Sequence, residues 1–147
     1  MFFGIRRALI GTPLSCTPYS QIAGTVTVNA TFLHPADGVV AWTQPIPASK
    51  HTVKFRILDA SNYWKIDTYS NNQQYLIETI ATVDNIRATA TVVLAGGERY
   101  AVVLDGTAIY LFIAGVLRGT RTGATNFATQ ASGLFTRSGA GNIGDLK

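Results

Sequence analysis

The sequence predicts an all-β sandwich or barrel, and three observations predict it. Apolar residues recur with a period of two rather than the helical period of about 3.6. The alternating runs are filled with Val, Ile, Thr and aromatic residues, whose branched or flat side chains suit a pleated, half-buried surface. Gly, Pro, Asn and Asp separate the runs at intervals of roughly 8–12 residues, as in sandwiches and barrels.

Taken in order, residues 25–30 alternate first. Residues 52–57 alternate most clearly, with Val53, Phe55 and Ile57 on one face and Lys54 and Arg56 on the other. Residues 64–69 follow with Lys65, Asp67 and Tyr69 in phase, and residues 75–80 are β-rich by composition. Residues 89–94, 99–104 and 108–113 complete the clear strands. In the last of these Ile109, Leu111 and Ile113 oppose Tyr110 and Phe112, so both faces are apolar and a strand covered on both sides, or covered by a partner, is expected. Asn71-Asn72, Asp84-Asn85, Gly96-Gly97, Asp105-Gly106 and Ala114-Gly115 are the expected turns. No run shows a capped amphipathic helix; residues 127–132 allow one turn at most.

The chain has 147 residues, 47% of them hydrophobic and 14% charged. That length suits one domain with a core of its own, and the composition is not that of a disordered chain. The single cysteine, Cys16, excludes a disulfide framework and any multi-cysteine metal knot. Twelve basic and eight acidic residues give a net charge of +4. The basic residues are scattered, Arg6-Arg7 being the tightest group, so no nucleic-acid partner is expected. Residues 8–10 are too short an apolar run for a signal peptide. Residues 107–117 are too few to span a bilayer as a helix, so no membrane span is expected.

One series of residues has a family likeness. It runs through Asp59-Ala60-Ser61-Asn62-Tyr63-Trp64, then Leu94-Ala95-Gly96-Gly97-Glu98-Arg99-Tyr100, then Leu104-Asp105-Gly106-Thr107-Ala108-Ile109-Tyr110-Leu111. Ile113-Ala114-Gly115-Val116-Leu117, Ser138-Gly139-Ala140-Gly141 and Ile143-Gly144-Asp145-Leu146 close it. This series resembles the concanavalin A-like, laminin-G-like jelly-roll modules of phage virion and bacterial surface proteins, over roughly residues 39–147. The resemblance implies an antiparallel jelly-roll sandwich of two sheets, with residues 23–147 as the domain and residues 1–22 as an N-terminal arm or first strand. Family members usually carry Asn-Gly where this chain has Ala114-Gly115, so a turn of another type is expected there. They sometimes hold calcium at the sandwich edge, for which Asp59 and Asn62 supply oxygen donors; a tight turn explains the same two residues.

For catalysis the carboxylates are poorly placed. None of the eight forms a cluster on one strand face of the kind that cleaves a glycosidic bond. His34 and His51 lie near loops and Cys16 has no motif around it. No catalytic residue and no cofactor are therefore expected. A ligand or partner face is better supported: Tyr63, Lys65, Asp67 and Tyr69 share one strand face, Lys54 and Arg56 lie on the polar face of the preceding strand, and Trp42 adds a ring. An arm rich in Phe2, Phe3, Ile5, Arg6 and Arg7 suits addition to a neighbour's sheet.

The leading expectation is thus a non-enzymatic structural or binding protein. As a virion component, a capsid decoration or tail protein, it would dock on other virion subunits, as a homo-oligomer. The alternative is a carbohydrate-binding, lectin-like module, with cell-surface glycans as partners and a bacterial cell surface or secreted location. A glycan-processing enzyme ranks third.

Overall fold

The computed structural model describes residues 22–26, 30–138 and 143–146, with side chains over residues 30–136. Twelve strands make up its regular structure: β1 (Ile22–Val26), β2 (Ala30–Leu33), β3 (Gly38–Gln44), β4 (Lys50–Asp59), β5 (Asn62–Tyr69), β6 (Gln73–Ile80), β7 (Val83–Thr91), β8 (Glu98–Asp105), β9 (Ala108–Ile113), β10 (Val116–Arg121), β11 (Ser132–Ser138) and β12 (Ile143–Leu146). They form two six-stranded antiparallel sheets, ordered β1-β12-β3-β8-β9-β10 and β2-β11-β4-β5-β6-β7. No helix occurs among the described residues, and so none long and apolar enough to cross a membrane. The expected all-β jelly-roll sandwich is the fold. The arm residues Phe2, Phe3, Ile5, Arg6 and Arg7 lie outside the described residues.

The core lies where alternate residues of the two sheets meet. The first sheet contributes Val40, Trp42, Tyr100, Val102, Leu104, Ile109, Leu111 and Ile113; the second contributes Phe32, Val53, Phe55, Trp64, Ile66, Leu76 and Phe135. Burying each large apolar side chain stabilises the fold by roughly 1.5–3 kcal/mol. The alternation read in residues 52–57 therefore holds for Val53 and Phe55. Ile109, Leu111 and Ile113 are likewise buried. Tyr110 and Phe112 on the outer face are half-buried within this chain.

Three local expectations are corrected. The ends of the 25–30 run fall in different sheets, Thr25 and Val26 in β1 and Ala30 in β2, with residues 27–29 outside the described residues. Asp84-Asn85 is not a turn but the start of β7. The turn falls at Ala81-Thr82, with φ of 49° and 70°, since Asp84 and Asn85 spend their side chains on β5 and β6. Third, Arg56 does not share an outer face with Lys54. Phe55 pairs with Trp64 and Asp59 with Asn62, which leaves Arg56, Ile57 and Leu58 opposite Tyr63 alone. The extra residues make a bulge, Arg56 takes a left-handed φ of 48°, and its side chain turns fully inward.

The Ala114-Gly115 turn keeps the type I′ geometry expected of Asn-Gly. Both residues have positive φ, 51° and 77°, because Ile113 pairs with Val116 and only a two-residue loop of that twist closes the hairpin. An alanine in this conformation carries a strain of about 1 kcal/mol. Ala114→Asn is expected to recover most of it, raising Tm by about 4 °C in a thermal melt.

Candidate functional site

The outer face of the second sheet gathers the polar residues. Antiparallel register sets Thr52 opposite Asp67 and Asp67 opposite Tyr75. Lys54, Lys65, Ile77 and Ile86 form the next row across β4 to β7, and Tyr63, Thr79 and Asp84 the one beyond. Lys50 stands opposite Tyr69 at the other end. Period-two alternation puts all of these on one side, because their neighbours Val53, Phe55, Trp64, Ile66 and Leu76 are committed to the core.

A chain of alternating charges runs through this face. The Lys65 Nζ lies 2.7 Å from Asp84 Oδ2 and 3.3 Å from Asp67 Oδ2, and Lys50 Nζ approaches the same Asp67 oxygen at 3.6 Å. Thr52 Oγ1 donates to Asp67 Oδ1 at 2.6 Å and Thr79 Oγ1 to Asp84 Oδ1 at 2.7 Å. Lys65 is 7% exposed and Asp67 1%, although both stand on the side of the sheet away from the core. Burial pulls the Lys65 ammonium toward neutrality, but the bond to Asp84 and the charges of both aspartates outweigh it, and its pKa is raised. Burial likewise pushes Asp84 upward, yet hydrogen bonds from Lys65 and Thr79 hold its carboxyl below the usual range. Lys65 and Asp84 are thus held charged, and the network is hydrogen-bonded, the condition under which buried charge is tolerated.

Aromatic rings flank the charges. Tyr69 and Tyr75 meet edge to face at 5.7 Å between centroids, with Lys50 Nζ 5.5 Å from the Tyr69 ring. Lys54 Nζ sits 3.8 Å from the centre of the Tyr63 ring. Between these groups lies a depression of about 390 Å³ lined by Lys50, Asp67, Tyr69, Asn71, Tyr75, Ile77, Asp84 and Ile86. Small-molecule sites begin at about that size.

Of the residues singled out from the sequence, Lys54, Tyr63, Lys65, Asp67 and Tyr69 come together here. Arg56 and Trp42 do not. Trp42 belongs to the other sheet and points into the core, fully buried, its Nε1 donating to Gln44 Oε1 at 2.9 Å and its ring against Tyr100. Asp59 and Asn62 are spent on each other at the β4–β5 turn. Asp59 accepts the Ser61 N–H at 2.8 Å and the Asn62 side-chain amide at 2.9 Å, the tight-turn arrangement. No group of three or more His, Cys, Asp or Glu able to hold a metal occurs among the described residues. Sequence reasoning missed Lys50, Thr52, Tyr75, Thr79 and Asp84. Tyr75 falls in phase with Ile77 and Thr79 along β6, but the apolar Leu76 beside it leaves that phase unmarked.

No family model matches the sequence, and no curated protein matches it significantly. Solved structures do resemble it. The carbohydrate binding module CBM66 from Bacillus subtilis superposes with a TM-score of 0.66 at 10% identity, over 87% of this chain and 88% of that one. The Caenorhabditis elegans galectin LEC-6 gives 0.67 at 10% identity, over 86% and 93%. The Bacillus licheniformis beta-glucanase gives 0.56 at 12% identity, over 81% of this chain but 58% of its own. At such identities the likeness establishes the fold alone, a jelly-roll sandwich.

Proposed function

We propose that this protein is a non-catalytic carbohydrate-binding module whose sugar site is the outer face of β4 to β7. The observation that carries the reading is the Tyr69–Tyr75 pair, which borders one depression together with Lys50, Asp67 and Asp84, the two aspartates being joined by the buried Lys65. A pyranose ring offers C–H faces that pack on aromatic rings, and hydroxyls that need donors and acceptors at fixed positions. Lysines and aspartates already locked together supply both without a further ordering cost. Likeness to a carbohydrate binding module and to galectins supports the same reading. The virion-assembly expectation draws no support from these likenesses.

The state of Asp84 fits binding better than cleavage. A glycosidase needs one protonated carboxyl as general acid, usually with its pKa raised. Asp84 is held in the opposite direction by Lys65 and Thr79.

Screening on a glycan array followed by calorimetric titration tests this reading. Tyr75→Ala is expected to weaken the best ligand at least about tenfold, a loss of roughly 1.4 kcal/mol, and Tyr69→Ala similarly, with the fold intact by circular dichroism. Failure to bind any saccharide, or affinity unchanged in both variants, would overturn it.

A further inference from the structure

We propose that the glycan bound on this face is anionic, with a carboxylate or sulfate group taken by Lys54; the inference rests on the carbohydrate-binding reading and narrows its ligand class. Lys54 stands directly across from Lys65 in the β4–β5 register. Like charges so placed destabilise a sheet unless each finds compensation. Lys65 finds it in Asp84 and Asp67. Lys54 has no carboxylate within ion-pair distance among the described residues, and its ammonium rests instead on the Tyr63 ring.

A ring face attracts a cation but does not cancel its charge. Among the described residues Asp67 and Asp84 are engaged by Lys65 and Lys50, and neither lies within ion-pair distance of Lys54. The uncompensated ammonium therefore belongs to a side chain already oriented by its ring contact. An anion arriving there meets an ammonium that has lost part of its conformational freedom. The net charge of +4 adds long-range attraction of the same sign. Lys54 lies two strands away from Ile77 in the floor of the depression, about 9.6 Å across the sheet. The acidic unit is accordingly a neighbour of the sugar that packs on Tyr69 and Tyr75, so the ligand is an oligosaccharide.

The test compares trigalacturonate, a sulfated galactotriose and neutral galactotriose by calorimetry with the whole protein at two salt concentrations. At least one acidic ligand is expected to bind about tenfold tighter than the neutral one, with an advantage that shrinks as salt rises. The carboxylate and sulfate arms identify which anion is preferred. Lys54→Gln is expected to abolish the advantage, and Lys54→Arg to retain it. Neutral sugar bound as tightly as both acidic ones, or an acidic preference indifferent to Lys54→Gln, overturns the anion assignment and leaves the carbohydrate reading standing. Absence of binding to these three and to every glycan of the array overturns both.

Discussion

Trp42→Ala is expected to cost the fold about 3–5 kcal/mol, measured as a lowered urea midpoint. The indole is fully enclosed between the sheets, packed on Tyr100, and its removal leaves a cavity that the rigid strands cannot close. The loss also strands the Gln44 Oε1 that accepts the indole N–H at 2.9 Å, a buried acceptor worth about 1–3 kcal/mol when orphaned. Trp42→Phe separates the two contributions, since it keeps most of the packing and loses only the hydrogen bond; about 1–2 kcal/mol is expected. Glycan affinity per folded molecule should be unchanged in both. Normal stability with lost sugar binding would instead return Trp42 to the ligand face.

Arg56→Ala is expected to cost about 3 kcal/mol. The guanidinium ties three segments at one end of the sandwich. Its Nη2 donates to Ala36 O at 3.0 Å and to Gly106 O at 2.8 Å, with Asp37 Oδ1 at 3.7 Å. The same Asp37 oxygen accepts the Gly106 N–H at 2.7 Å, so the loop before β3 and the β8–β9 turn are fastened through Arg56. Arg56→Met fills the space without donating and should recover part of the loss, the remainder measuring the hydrogen bonds. A surface arginine, as the sequence implied, would cost under about 0.5 kcal/mol in either variant.

Acid acts on the same latch. The Arg56 backbone N–H donates to His34 Nε2 at 2.9 Å, Ser132 O lies 3.1 Å from the same nitrogen, and His34 Nδ1 lies 2.8 Å from Pro35 O. Burial first, and the Arg56 charge after it, hold the His34 pKa below 6.5 against the pull of its carbonyl contacts. Below that pH the unfolded chain binds a proton that the folded chain refuses. The His34 contribution is therefore complete above about pH 6.5 and is lost as the pH falls through the folded value. His34→Gln should flatten that part of the stability profile.

The fold and half of the site were legible because they follow from polarity contrast along a strand. Lys54 against Val53 and Phe55, and Lys65 and Asp67 against Trp64 and Ile66, announce their faces. The contrast vanishes in β6, where Tyr75 and Ile77 are as apolar as Leu76, so the ring partner of Tyr69 stayed hidden. In β3 the alternatives Val39 and Ala41 are as apolar as Val40 and Trp42, and the tryptophan's direction had no marker. Arg56 failed for a different reason. Its bulge has no glycine to announce a positive φ, and the contacts that hold it come from Ala36 and Gly106, far along the chain. Asp84 was read as a turn former because local propensity ignores the Lys65 and Thr79 that draw it into β7.

Chemical-shift mapping of the isotopically labelled protein, titrated with the tightest oligosaccharide from the array, locates the bound sugar directly. Amide and side-chain shifts should concentrate on Lys50, Lys54, Lys65, Asp67, Tyr69 and Tyr75, leaving Val39, Val103 and Tyr110 on the opposite sheet unmoved. Shifts confined to that opposite sheet, with β4 to β6 silent, would contradict a sugar site on the charged face.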